Sequence, residues 1–157
     1  MTSAVYVHPL ARHRKQIPLI AAWFTSEWPE WYGSGGKGNV IQDLQEFAAS
    51  ESELPIGMVI FQNHIPVGAA ALKAQSILSH VHLTPWAAAG YVLPSHRGQG
   101  LGAALLGALV TEAHNLGFER VYCGTSTAER LLVRSGWRAL EVIVHAGKPL
   151  TIFQSAA

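Results

Sequence analysis

The sequence is short of several things, and each shortage excludes something. It has one cysteine in 157 residues, Cys123, so no internal disulfide can form, and a cytoplasmic setting is the expectation. Charged residues make up only 13%, with a formal net charge of +1. Nothing in that balance makes an electrostatic case for a nucleic-acid partner. No run reaches the ~18 uninterrupted apolar residues of a membrane-spanning helix. No basic stretch followed by an apolar one marks a secretory signal, and no segment repeats. What is abundant is apolar side chains, 49% of the total, which argues against disorder and supplies a core. A chain of this length is expected to form one domain, residues 1–157.

Glycine is also well represented, and three glycines fall at alternate positions: Gly98, Gly100 and Gly102. Before them, Trp86 to Pro94 reads as a strand. After them, Leu101, Leu105, Ala108, Leu109 and Leu116 recur at helical spacing, and Gly117 stands where a terminating glycine belongs. Glycines without a Cβ let the backbone approach a ligand closely. The first N–H groups of a helix have no partner inside it, and the helix dipole is positive there. Strand, glycine turn and helix start together make a phosphate site, with Arg97 adding a positive charge at its mouth. The plainer alternative is a tight turn and nothing more.

Gly98, Gly100 and Ala103 also fit the loose dinucleotide fingerprint, G-x-G-x-x-A. Pro94-Ser95-His96-Arg97 separates them from the strand, however, and the chain is too short for a two-half dinucleotide domain. The order Arg97-x-x-Gly100-x-Gly102 instead resembles the acetyl-CoA-binding motif of the GNAT superfamily of N-acetyltransferases, Gln/Arg-x-x-Gly-x-Gly/Ala. Gly136-Trp137 after a short helix extends the likeness, and residues 86–137 carry it.

The resemblance implies an α/β (α+β) fold: a mixed, mainly antiparallel central sheet flanked by helices on both faces, with a splayed central strand pair. It implies that Arg97, Gly98, Gln99, Gly100, Leu101, Gly102 and Ala103 hold the pyrophosphate of acetyl-CoA. Tyr91 and Val92 would receive the pantetheine arm and the acetyl carbonyl, and Ser126 joins the cofactor set. The implied activity is direct transfer of acetyl to a primary amine of a small molecule or peptide, without a metal. A non-catalytic acyl-CoA-binding module and a nicotinamide-dependent oxidoreductase are the alternatives. A homodimer is left open.

The rest of the chain fills in around this unit. Ala4–Val7 reads as a strand broken at His8-Pro9. Pro18 opens a helix to about Glu27. Gly33, Gly35 and Gly38 match G-x-G-x-x-G by letter, but follow Trp-Pro-Glu-Trp, so a mobile loop is the better reading. Asn39 can cap a helix with Gln42 three residues on. Residues 55–61 and 66–72 read as a hairpin around Gln62-Asn63-His64. Arg120–Cys123 is a strand candidate. Ser126 and Glu129 form a capping-box pattern for a helix over 127–134. Residues 137–144 and 150–154 read as strands around an Ala146–Pro149 turn.

The catalytic groups are less clear. Many relatives place an acid Tyr before the Gly-aromatic pair, but the matching position here is Leu132. Tyr91, Tyr122 and Ser126 are the candidates to replace it. The central strand lacks the carboxylate base often found in the family, which leaves Glu27, Glu30 and His82 in neighbouring loops. Trp28, Trp31 and Tyr32 are candidates to receive the amine, since aromatic faces attract ammonium groups by ~0.5–2 kcal/mol. The same rings can equally pack into the core. Cys123 reads as apolar filler rather than a nucleophile, and His80-x-His82 lacks the further ligands a metal needs.

Overall fold

The computed structural model describes residues 4–156. Seven strands form one sheet: β1 (Val5–Pro9), β2 (Ile56–Gln62), β3 (Ile65–Lys73), β4 (Trp86–Val92), β5 (Tyr122–Thr125), β6 (Arg138–His145) and β7 (Lys148–Gln154). Their order is β1-β2-β3-β4-β5-β7-β6. Every neighbouring pair is antiparallel except β4 and β5. The helices are α1 (Ile17–Glu27), α2 (Pro29–Tyr32), α3 (Val40–Phe47), α4 (Leu101–Asn115) and α5 (Glu129–Arg134). No helix among the described residues is long and apolar enough to cross a membrane.

Two cores lie on opposite faces of the sheet. On one, α4 buries Leu101, Leu105, Leu109 and Ala113 against β2, β3 and β4, with Leu132 of α5 and Trp137 alongside. On the other, Ile20, Phe24, Leu44 and Phe47 from α1 and α3 cover Val59, Phe61, Ala69 and Ala71. The 3.6-residue spacing of α4 is therefore what its packing uses. Each fully buried leucine contributes roughly 1.5–3 kcal/mol.

Several local features follow from the sequence, and several depart from it. The β2–β3 hairpin turns through Asn63 and His64, both with positive φ, 52° and 68°, as a two-residue turn requires. Gly117 (φ 94°) closes α4: its N–H donates to the His114 carbonyl and that of Phe118 to the Ala113 carbonyl. The Asn39 side chain accepts from the Gln42 N–H at 3.0 Å, capping α3. The first strand, by contrast, does not break at His8-Pro9 but runs through Pro9. It lies at the sheet edge, where the missing proline N–H costs no ladder bond. The β6–β7 turn is only Ala146-Gly147, so Lys148 and Pro149 belong to β7. Strand β5 starts at Tyr122: the Val121 N–H donates to the Ser155 hydroxyl, while its carbonyl accepts from the Ser155 N–H at 2.8 Å.

The capping box at Ser126 does not form. Thr125, at the end of β5, accepts from the Thr127 and Ala128 N–H groups at 3.1 and 2.9 Å, and Ser126 stays exposed. Thr125 is nearer the sheet and points in, so it takes the role. The glycine tract after α2 is not an open loop either. Gly33 donates to Pro29, Gly36 to Gly33 and Gly38 to Trp31. A Cβ on Gly36 would lie 2.2 Å from the Trp31 carbonyl oxygen, and one on Gly38 2.4 Å from the Trp31 indole nitrogen. These glycines let the chain wrap closely around Trp31.

Candidate active site

Among the described residues, the only parallel contact in the sheet is also its shortest ladder. Strands β4 and β5 share a single ladder position, Trp86 opposite Tyr122. Beyond it, β4 continues to pair with β3 as far as Gly68–Val92, and β5 pairs with β7. Each strand is held by its outer neighbour, and a cleft of ≈ 870 Å³ opens between them. Ala87, Ala88, Tyr91 and Val92 line one wall, and Cys123, Gly124 and Thr125 the other. This is the splayed central pair implied by the family resemblance.

The β4 wall carries a bulge. Ala69 faces Tyr91 and Ala71 faces Ala88, so Ala89 and Gly90 together oppose Ala70. Ala89 has φ 54°. A bulge leaves one residue out of the ladder and re-aims the groups beside it. Both bulge residues line the cleft. The sequence reading placed the carbonyl-binding amide near Tyr91 and Val92. The bulge itself had a signal in the sequence: a glycine inside a strand pattern suggests one.

The glycine turn forms the floor. Gly98 and Gly100 have φ of 79° and 81°, in the left-handed region that other residues avoid. A Cβ built on either meets no protein atom within 4 Å. Gly102 differs: a Cβ there would sit 3.2 Å from Leu131 of α5, so this glycine serves the approach of the two helices. The first bond of α4 runs from the Ala104 N–H to the Gly100 carbonyl. Among the described residues, the N–H groups of residues 98–103 find no acceptor. A row of unpaired donors at the positive end of a 15-residue helix is an anion site.

Arg97 is not free at the mouth. Its Nε donates to the Val92 carbonyl at 2.9 Å, and the guanidinium lies over the Tyr91 ring, 5.6 Å from its centre. Nη2 reaches to 3.8 Å from the Glu27 carboxylate at the end of α1. Tyr91 in turn stacks on Trp23 at 5.5 Å. Positive charge at the opposite rim comes from Arg130 and Arg134, one turn apart on α5, which the sequence reading passed over. Basic residues four apart on a helix share a face, and that spacing was the clue.

The structure thus brings Glu27, Trp28, Tyr91, Val92 and Arg97 to the cleft, together with Gly98, Gly100, Leu101, Gly102 and Ala103. It does not bring the other candidates there. Gln99 turns outward and accepts from Gln62. Ser126 is exposed on the far side of the Thr125 turn. His82 is exposed in the loop before β4 and stacks on His80, which is bonded to Ser79 and Glu141. Trp31 is half exposed over its glycines. The Tyr32 hydroxyl donates to Asp43 at 2.6 Å, and burial together with that bond raises its pKa. Trp28 packs edge-on against Phe24 and also lines the cleft.

Two further residues bear on chemistry. Leu132 is buried, 1% exposed, and offers no proton. Burial pushes the Cys123 thiol up to about 11, so at neutral pH it is protonated and a poor nucleophile.

Comparison with known proteins agrees with this geometry. The family model "Acetyltransferase (GNAT) family" matches residues 19–135. No curated protein matches the sequence closely enough to count as a relative. Among solved structures, a putative acetyltransferase from Salmonella typhimurium with its cofactor acetyl-CoA superposes with a TM-score of 0.76. It is 19% identical, covering 98% of this chain and 94% of that one. An aminoglycoside 6'-N-acetyltransferase complexed with coenzyme A gives 0.77 at 15% identity, covering 96% of each chain. The aminoglycoside 6'-N-acetyltransferase from Enterococcus faecium gives 0.75, also at 15%. Identities this low speak for the fold, and the family match carries the rest: the chain belongs to the acetyltransferase (GNAT) family.

Proposed function

We propose that the protein transfers the acetyl group of acetyl-CoA directly to the primary amine of a small molecule or peptide. One observation carries the reading: the unpaired N–H groups of residues 98–103 lie at the foot of a cleft opened between β4 and β5. The diphosphate of the cosubstrate fits those donors, and Arg130 and Arg134 suit its remaining phosphate. The pantetheine arm would run up between the strands toward the bulge at Ala89-Gly90. There a re-aimed main-chain N–H can hold the oxyanion of the tetrahedral intermediate.

The amine must attack as a neutral nitrogen, and Glu27 is the carboxylate at the cleft that can take its proton. The C–N bond forms as the C–S bond breaks, with its electron pair leaving on sulfur. Leu132 cannot protonate that sulfur. A free thiol has a pKa near ~8.5, so departure as a thiolate is tolerable near neutral pH.

Leu132 is also what favours the second reading, a module that binds acyl-CoA without turning it over. Calorimetry with acetyl-CoA and CoA release over a panel of amines separate the two. Binding with turnover supports the transferase, binding without turnover the module, and no binding sinks both. Gly100→Val tests the carrying observation, because valine strains at φ 81° and crowds the donors. It should weaken acetyl-CoA binding at least tenfold, about 1.4 kcal/mol.

A further inference from the structure

The end of the cleft nearest α1 carries a charge pair that is incompletely matched. Glu27 Oε2 and Arg97 Nη2 are 3.8 Å apart, beyond hydrogen-bond distance, with side chains 43% and 50% exposed. Among the described residues, Glu27 makes no hydrogen bond. Arg97 commits its Nε to the Val92 carbonyl and its face to Tyr91, which fixes the guanidinium and leaves its Nη groups open. Trp28 lies beside the pair along the same wall. Among the described residues, Glu27 is the one carboxylate lining the cleft, with Arg97 beside it and Arg130 and Arg134 at the opposite rim.

We infer that the acceptor is a zwitterion, an α-amino acid with a neutral side chain, whose ammonium meets Glu27 and whose carboxylate meets Arg97. This rests on the acetyltransferase reading above and names its acceptor class. An amino acid carries its two charges one carbon apart, and the two complementary charges here stand one contact apart. Arg97 can grip a carboxylate with two parallel N–H groups, a geometry that lysine lacks. The alternatives fit poorly. A polycationic acceptor would bring several ammonium groups to an end of the cleft with one carboxylate and the Arg97 guanidinium beside it. A simple monoamine would place no anion against the Arg97 Nη groups. The Trp28 ring, which lines the cleft, suits an apolar or aromatic side chain.

The proton balance is simple. One ammonium proton passes to Glu27 and on to water. The freed lone pair attacks the thioester carbonyl, the C–S bond breaks with its electron pair on sulfur, and the thiolate takes up the second N–H proton after it has left. The products are an N-acetyl amino acid, free CoA and one proton.

The test is CoA release, read as kcat/KM, for matched acceptors: phenylalanine against phenethylamine, leucine against isoamylamine, and both against spermidine and an aminoglycoside. The expected result is at least a tenfold preference for each amino acid over its decarboxylated partner, with the polycations slower still. In Arg97→Gln, a residue the loop pattern accepts, that preference should collapse toward one. In Arg97→Lys, which keeps the charge, part of it should survive. The ratio cancels any common effect on acetyl-CoA. Equal or faster turnover of the decarboxylated amines or of the polycations overturns the zwitterion and leaves the transferase standing. Acetyl-CoA binding without turnover of any acceptor overturns both.

Discussion

The sheet has two unequal halves, and the cleft lies where they meet. In the first half, β2 and β3 are buried along almost their whole length, with helices on both faces. In the second, β6 is exposed at nearly every position, with Val142 and Val144 67% and 77% exposed. The first half is a layered core that holds β4 rigidly from one side. The second holds β5 through β7 alone. Among the described residues, Trp86 opposite Tyr122 is the one ladder position between them, while Leu132, Trp137 and Phe153 pack into the same core as α4. Beyond that position the strands are free to part in the ladder although the core beside them stays continuous.

The sharpest test of this asymmetry is stability. Ile60 in β2 is fully buried, and Ile60→Ala should cost about 2–5 kcal/mol in chemical denaturation. Val144→Ala in β6 should change stability by less than ~0.5 kcal/mol. Comparable losses would mean that the second half is covered by something the chain alone does not supply.

The next tests concern the seam. Glu27 reaches it from α1, in the well-packed half. Glu27→Gln keeps the shape and removes the proposed base, so kcat should fall by roughly 10²-fold, within the range for general-base catalysis. Acetyl-CoA binding by calorimetry should be nearly unchanged. A rate within twofold of wild type would remove Glu27 from the chemistry.

The smallest effect is at Cys123, on the β5 side. Its pKa in the folded protein is raised, so the neutral thiol is favoured there. Once pH exceeds the ordinary value of about 9, the unfolded chain loses its proton first and stability falls. The loss should run from about pH 9 to about 11 and be absent below it. Cys123→Ala should flatten that alkaline slope in urea titrations. An unchanged slope would show that the thiol is more open than its surroundings suggest.

Much of this molecule could be read from its residues, for local reasons. The α4 stripe, Gly117, the Asn39 cap and the β2–β3 hairpin depend on neighbours within a few positions, and the sequence holds all of those neighbours. The glycine turn before α4 was legible for the same cause. The readings that failed involve distant partners. Ser126 and Thr125 compete for one helix start, and the end of β5 decides between them. Trp31 and Gly38 meet because the loop closes on itself. Arg97 looked like a free charge until α1 brought Glu27 and β4 brought Tyr91 beneath it.

The sequence by itself determined the strand, the glycine turn and the helix that follows, because φ, N–H satisfaction and apolar spacing are set within one stretch of chain. Tertiary structure alone decided that β4 and β5 part after Trp86, that Ala89-Gly90 bulge into the gap, and that Glu27 faces Arg97. Those outcomes depend on which strands win each partner's hydrogen bonds. That competition is settled between segments tens of residues apart, where no local pattern records the result.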